Sequence, residues 1–206
     1  MILQTVCVGP YEVNCYVLAS EKGRKAIIID PGDDEHKIRR ELRTYDLTPA
    51  FIVNTHGHID HIGCDDAFEV PVYCSARELP LLKSAELNLS DFLSRSYSVP
   101  PEIRTLEDGQ LIELDTLQLE VICMPGHTPG GIALRLKKPD DNIVFTGDSL
   151  FRMSIGRTDF SGSDEIALKQ SIKKRLFTLP DETVIYPGHG PRSTIGYEKK
   201  NNPFLI

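Results

Sequence analysis

The run Thr55-His56-Gly57-His58-Ile59-Asp60-His61 places four potential metal ligands within six residues. His56 and His58 stand two apart around Gly57, whose backbone freedom lets both imidazoles aim at one ion. Asp60 and His61 open the next helical pattern and can face a second ion. Imidazole and carboxylate donors suit zinc, iron or manganese, and no cysteine pair has the spacing of a closed structural zinc site. Three more candidates sit in glycine-rich turns: His127 in Pro125-Gly126-His127-Thr128-Pro129-Gly130-Gly131, Asp148 in Thr146-Gly147-Asp148, and His189 in Pro187-Gly188-His189-Gly190. A single histidine in a turn is ordinarily structural. Repeated His and Asp placement of this kind reads as a ligand cluster. His36, in a charged helical stretch, is the one histidine expected on the surface.

Four strand ends must bring these side chains together. Phe51-Ile52-Val53 leads straight into the His-rich run, and strands over 117–123, 142–146 and 183–186 lead to the other three turns. Ligands gather at such carboxyl ends in α/β sheets. Further strands are expected over 2–8, 14–18, 26–29, 72–74, 111–114 and 132–137. Ala26-Ile27-Ile28-Ile29 has the continuous apolar character of a strand buried on both faces. Helices are expected over 34–45, with Ile38 and Leu42 on one face, and over 163–177, with a Ser163 cap and Ile166 and Leu176 on the apolar side. Residues 84–104 show no period and read as an insertion or lid that shapes substrate access.

The composition bounds the possibilities. The chain has 206 residues, 40% apolar and 26% charged, with a net charge of −7. That fits one globular domain over residues 1–206 and excludes disordered and collagen-like classes. No apolar run is long enough to span a membrane. The acidic balance argues against nucleic acid or an anionic membrane as partner. Met1 runs directly into a strand pattern without a signal-like segment, so a cytoplasmic location is expected. The five cysteines, Cys7, Cys15, Cys64, Cys74 and Cys123, read as free and mostly buried thiols. Cys15 and Cys64 flank polar turns and could lie near a site.

The His/Asp set resembles the metallo-β-lactamase superfamily. Thr55–His61 stands where that superfamily has its HxHxDH signature, and the likeness runs over nearly the whole chain. The resemblance implies an α/β fold, a four-layered αββα sandwich with the site at one edge of the sheets. It implies two divalent metal ions, foremost zinc, with iron or manganese as alternatives. His56, His58 and His127 would bind one ion, Asp60, His61 and His189 the second, and Asp148 would bridge them. Two such ions about 3.5–4 Å apart make water nucleophilic near neutral pH and polarise a carbonyl. Asp60 can accept the proton of the attacking water, so Asp60 and Asp148 are the catalytic candidates. Asp30, at another strand end, is either a group that orients a ligand histidine or a turn-forming residue before Pro31.

Asp148 stands where some zinc β-lactamases carry a cysteine ligand, which points to other branches. Leu150–Phe160 and the tail Glu198–Phe204 resemble short glyoxalase II-like (hydroxyacylglutathione hydrolase-like) proteins. That resemblance implies hydrolysis of a small-molecule thioester such as S-lactoylglutathione. Typical glyoxalase II chains hold glutathione with a further C-terminal helical segment, whereas 17 residues follow His189 here. The cations available for an anionic substrate are Arg157 first, for its bidentate guanidinium, then Arg152, Lys199 and Lys200, each with a plain surface charge as its alternative. The other reading is a persulfide dioxygenase. It shares the Gly156-Arg157-Thr158-Asp159-Phe160 segment and would hold one iron at His56, His127 and Asp148.

Overall fold

In the computed structural model, which describes residues 1–206, the apolar run at 26–29 is strand β3 (Lys25–Ile29). Its side chains alternate between two cores. Ile27 and Ile29 enter a layer between two sheets, and Ala26 and Ile28 enter a layer beneath a helix. Neither face meets water, which is why no polar residue interrupts the run.

The first sheet runs in sequence order: β1 (Ile2–Val8), β2 (Val13–Ala19), β3, β4 (Thr48–Val53), β5 (Val72–Ser75) and β6 (Ile103–Leu106). Its first three strands are antiparallel, and β3 to β6 are parallel. The second sheet holds β7 (Leu111–Leu114), β8 (Leu117–Cys123), β9 (Ile132–Lys138) and β10 (Ile143–Gly147), followed by β13 (Val184–Pro187) and β14 (Ser193–Thr194). All its pairs are antiparallel except β10–β13. β11 (Leu150–Phe151) and β12 (Ser154–Ile155) form a small separate hairpin.

The sheets face each other through Leu18, Phe51 and Tyr16 on one side and Leu119, Leu134 and Phe145 on the other. Phe145 packs against the rings of Tyr16 and Tyr186 at 5.0 and 5.5 Å, and truncating such a residue to alanine costs about 3–5 kcal/mol. α1 (Glu35–Thr44) covers the first sheet with Ile38 and Leu42. α4 (Glu165–Ser171), continued by a π-helical turn over Ile172–Leu176, and α5 (Ile195–Asn201) cover the second. The expected αββα sandwich is the observed architecture.

Details differ from the sequence expectations. Asp164, not Ser163, caps α4, by accepting the Ala167 amide. Leu168, Ile172 and Leu176 form its buried stripe at a spacing of four. Ile166 lies two residues off that stripe and is 69% exposed. The segment 84–104 contains the start of β6 and is tied down elsewhere. Arg95 donates to the Gly32 carbonyl, Tyr97 to Asp65, and the Ile59 amide to the Asn88 carbonyl. All five cysteines are free. Cys15 and Cys64 pack in the layer under α1, and Cys7 is exposed. His36 is exposed, as expected. No helix is long and apolar enough to cross a membrane.

Candidate metal centre

All seven sequence-predicted ligands meet at one end of the sandwich. β4 delivers His56 and His58, and the short helix α2 (Ile59–Ile62) carries Asp60 and His61. His127, Asp148 and His189 follow β8, β10 and β13 of the other sheet. Three groups form, each with ligand atoms within 4.8 Å of one another: His56, His58 and His127; His56, His61 and Asp148; Asp60, His61 and His189. Asp148 sits centrally, its carboxylate 3.4 Å from His61, 3.7 Å from His127 and 3.5 Å from His189. Gly188 is needed for this approach, since a β-carbon there would fall 2.2 Å from an Asp148 oxygen.

Hydrogen bonds on the far side of the ring orient four of the five imidazoles, those of His56, His61, His127 and His189. His127 Nδ1 donates to the Arg157 carbonyl at 2.7 Å, and His189 Nδ1 to the Tyr11 carbonyl at 2.8 Å. His61 Nδ1 faces Asp30 Oδ2 at 3.0 Å. Thr55 gives its hydroxyl proton to Asp30 and can accept from His56 Nδ1 at 3.2 Å. A carbonyl or carboxylate oxygen has no proton to give, so the ring nitrogen supplies it. The opposite nitrogen then turns its lone pair inward. Asp30 thus serves as the orienting group. It accepts the Thr55 amide as well, at 2.7 Å, and holds a left-handed backbone with φ 53° while buried.

This donor set fits divalent cations. His56 Nε2 and Asp148 Oδ1 are buried without a hydrogen-bond partner. His58 Nδ1 and His127 Nε2 stand 3.1 Å apart, and His61 Nε2 and His189 Nε2 3.4 Å apart. Facing lone pairs at such distances repel unless a proton or cation lies between them. Burial, with neighbouring histidines, pushes the His56 imidazole well down and that of His58 down to about 3. Burial also disfavours charge on His61, but Asp148, Asp60 and Asp30 more than reverse it and hold its pKa well above the ordinary value. Burial would raise the Asp148 carboxyl, and His61 instead keeps it well below the usual range. The site therefore combines the ionised Asp148 carboxylate with the neutral imidazoles of His56 and His58.

Glu78 is the residue that sequence reasoning missed. Fully buried beside α3 (Leu79–Leu82), it accepts the Gly57 amide at 2.7 Å and the Gly130 amide at 2.6 Å. One carboxylate thus ties the loop of His56 and His58 to the loop of His127. A β-carbon on Gly130 would lie 2.8 Å from Glu78, so the glycine in that loop was the available signal. Among the candidate cations, Arg157 lines the cleft over the site, but its guanidinium is paired with Asp159 at 2.7 Å. Arg152 lies over Tyr197, and Lys199 pairs with Asp181. Arg152, Lys199 and Lys200 do not line that cleft.

A family model described as metallo-beta-lactamase superfamily matches residues 8–189. The probable metallo-hydrolase YqgX of Bacillus subtilis is 37% identical, covering 96% of this chain and 94% of its own. The hydroxyacylglutathione hydrolase GloC of Haemophilus influenzae is 33% identical over 100% of this chain and 98% of its own. Among solved structures, BLEG-1 B3 metallo-beta-lactamase has a TM-score of 0.89 at 36% identity, covering 99% of both chains. TTHA1623 in a di-iron-bound form has a TM-score of 0.83 at 39% identity, covering 98% of this chain and 100% of its own. ETHE1 from Myxococcus xanthus has a TM-score of 0.78 at 29% identity, covering 98% and 84%.

Proposed function

The chain belongs to the metallo-beta-lactamase superfamily and is on that footing a metallo-hydrolase; we propose that it hydrolyses thioesters at a two-ion centre, with S-lactoylglutathione as the reference substrate. The observation that carries this reading is the convergence of the three ligand groups around Asp148. His56, His58 and His127 would hold one ion, Asp60, His61 and His189 the other, and Asp148 would touch both. Divalent ions bound there, zinc foremost, supply Lewis acidity to the acyl oxygen and acidity to water. Similarity to a hydroxyacylglutathione hydrolase supports the substrate class.

The chain's own groups account for positioning and proton transfer. Burial would raise the Asp60 carboxyl, but His61 and His189 hold it below its ordinary value. It is therefore ionised at neutral pH, lines the cleft, and can accept the proton of the attacking water. The water oxygen bonds to the acyl carbon and the carbon–sulfur bond breaks. The thiolate leaves and takes up the proton, giving a carboxylic acid and a free thiol. Asp30, Thr55 and the Arg157 and Tyr11 carbonyls keep the imidazoles of His56, His61, His127 and His189 in place throughout.

A mononuclear persulfide dioxygenase would need only His56, His127 and Asp148 as ligands, leaving His58, Asp60, His61 and His189 without a ligand role. The deciding experiment measures metal content, S-lactoylglutathione hydrolysis and glutathione-persulfide-dependent oxygen uptake on one preparation. About two ions per chain with thioester hydrolysis is the expected result. One iron per chain with oxygen uptake and no hydrolysis overturns the proposal.

A further inference from the structure

The cleft over the centre has walls that its floor does not explain. It encloses about 480 Å³. Leu89, Phe92 and Leu93 line it from the 84–104 segment, and Phe151 and Phe160 line it as well. Phe160 meets the His58 ring edge-on at 5.4 Å and Phe151 meets His189 at 6.0 Å, so apolar wall begins at the candidate ligands themselves. Phe92 is 83% exposed. With Leu89, Leu93, Phe151 and Phe160 it forms one apolar lining beside the centre, the kind of wall that receives apolar groups of a ligand.

Positive charge is scarce by comparison. Arg157 is the only lysine or arginine lining the cleft. It donates to both oxygens of Asp159, at 2.8 and 2.7 Å, and lies 4.2 Å from the Phe160 ring centre. A glutathione thioester brings two carboxylates to this one, already paired, cation. Carboxylates moved against apolar wall without a partner are strongly disfavoured.

We propose that the cleft selects thioesters with an apolar acyl chain and an uncharged thiol, Asp159 withholding Arg157 from anionic substrates. This rests on the thioesterase reading above. The test uses the full chain loaded with zinc and measures kcat/KM for acetyl, butyryl and hexanoyl thioesters of N-acetylcysteamine, a neutral thiol, beside S-lactoylglutathione. The expected result is a rise of up to about fourfold per buried methylene, with the hexanoyl thioester ahead of S-lactoylglutathione. Phe92→Ala should lower the hexanoyl-to-acetyl ratio, and Asp159→Asn should raise the S-lactoylglutathione-to-butyryl ratio. A flat series, or S-lactoylglutathione ahead of every neutral thioester, overturns the selectivity and leaves the thioesterase reading intact. Hydrolysis of none of the four compounds removes that reading as well.

Discussion

Replacing Glu78 by glutamine tests whether one buried carboxylate sets the spacing of two ligand loops. The native oxygens accept the Gly57 and Gly130 amides at 2.7 and 2.6 Å. Glutamine keeps the shape and one acceptor but turns an NH2 group toward the other amide. One charge-assisted bond is lost, worth about 1.5–3 kcal/mol, and a buried donor is left facing another donor. At about 2–4 °C per kcal/mol for a chain of this size, Tm of the metal-free protein should fall by about 3–12 °C. The loops carry His56, His58 and His127, so ion affinity should fall too, by about the 10–100-fold typical of lost supporting contacts around metal ligands. Thermal unfolding reads the first effect and competition with a chelator the second. Cobalt loading adds a check, because displaced imidazoles would alter the visible absorption bands. An unchanged Tm refutes the energetic argument. A lowered Tm with unchanged chelator competition and cobalt spectrum makes Glu78 a fold residue with no bearing on the centre.

Other substitutions probe the centre and its surroundings. Asp148→Ala should abolish metal-dependent hydrolysis while far-UV circular dichroism stays native, and retained activity would sink its bridging role. Asp30→Asn puts an amide where His61 Nδ1 and the Thr55 hydroxyl now meet carboxylate oxygens. It should weaken ion binding about 10–100-fold, measured by titration calorimetry; unaltered affinity counts against the orienting role. Burial drives the Asp65 carboxyl well above its ordinary value, helped by Asp30 and Asp66 and opposed by Asn54 and Tyr97. An acid with a raised folded pKa binds its proton more tightly when folded, so it lowers stability as pH climbs from the unfolded value of about 4 toward the folded one. Asp65→Asn should therefore gain Tm relative to the parent as pH rises from 4 to 8, and a constant difference would contradict that sign.

The elements legible in the sequence were those whose burial is written locally. β3 and β4 each hold an unbroken apolar run, 26–29 and 50–53, and the His56–His61 segment concentrates its ligands in six residues. β6 was hidden because Ile103-Arg104-Thr105-Leu106 is only four residues long, has no alternation and ends an unpatterned stretch. Ser163 stood one residue from the true cap, and Ile166 lies about 200° around the helix from Leu168, on the exposed face. The contacts that tune the centre lie beyond sequence reasoning of this kind. Glu78 reaches loops 21 and 52 residues away. Arg157 touches His127 through its backbone carbonyl, a role that no side-chain type signals.

The division of ligands between the sheets links metal binding to assembly. Each of the three groups takes two residues from the first half of the chain and one from the second: His127, Asp148 or His189. Neither half by itself contains a complete three-residue site. A divalent ion held by these groups would act as a rivet between two hemispheres of the sandwich, and it would be retained only where both are formed and docked. Ion retention is in that sense a proofreading signal for the fold: a chain with two well-made but misaligned sheets should fail to hold its metal before it fails any test of secondary structure. Metal in the medium would draw the population toward the docked state in proportion to the logarithm of its concentration over the dissociation constant.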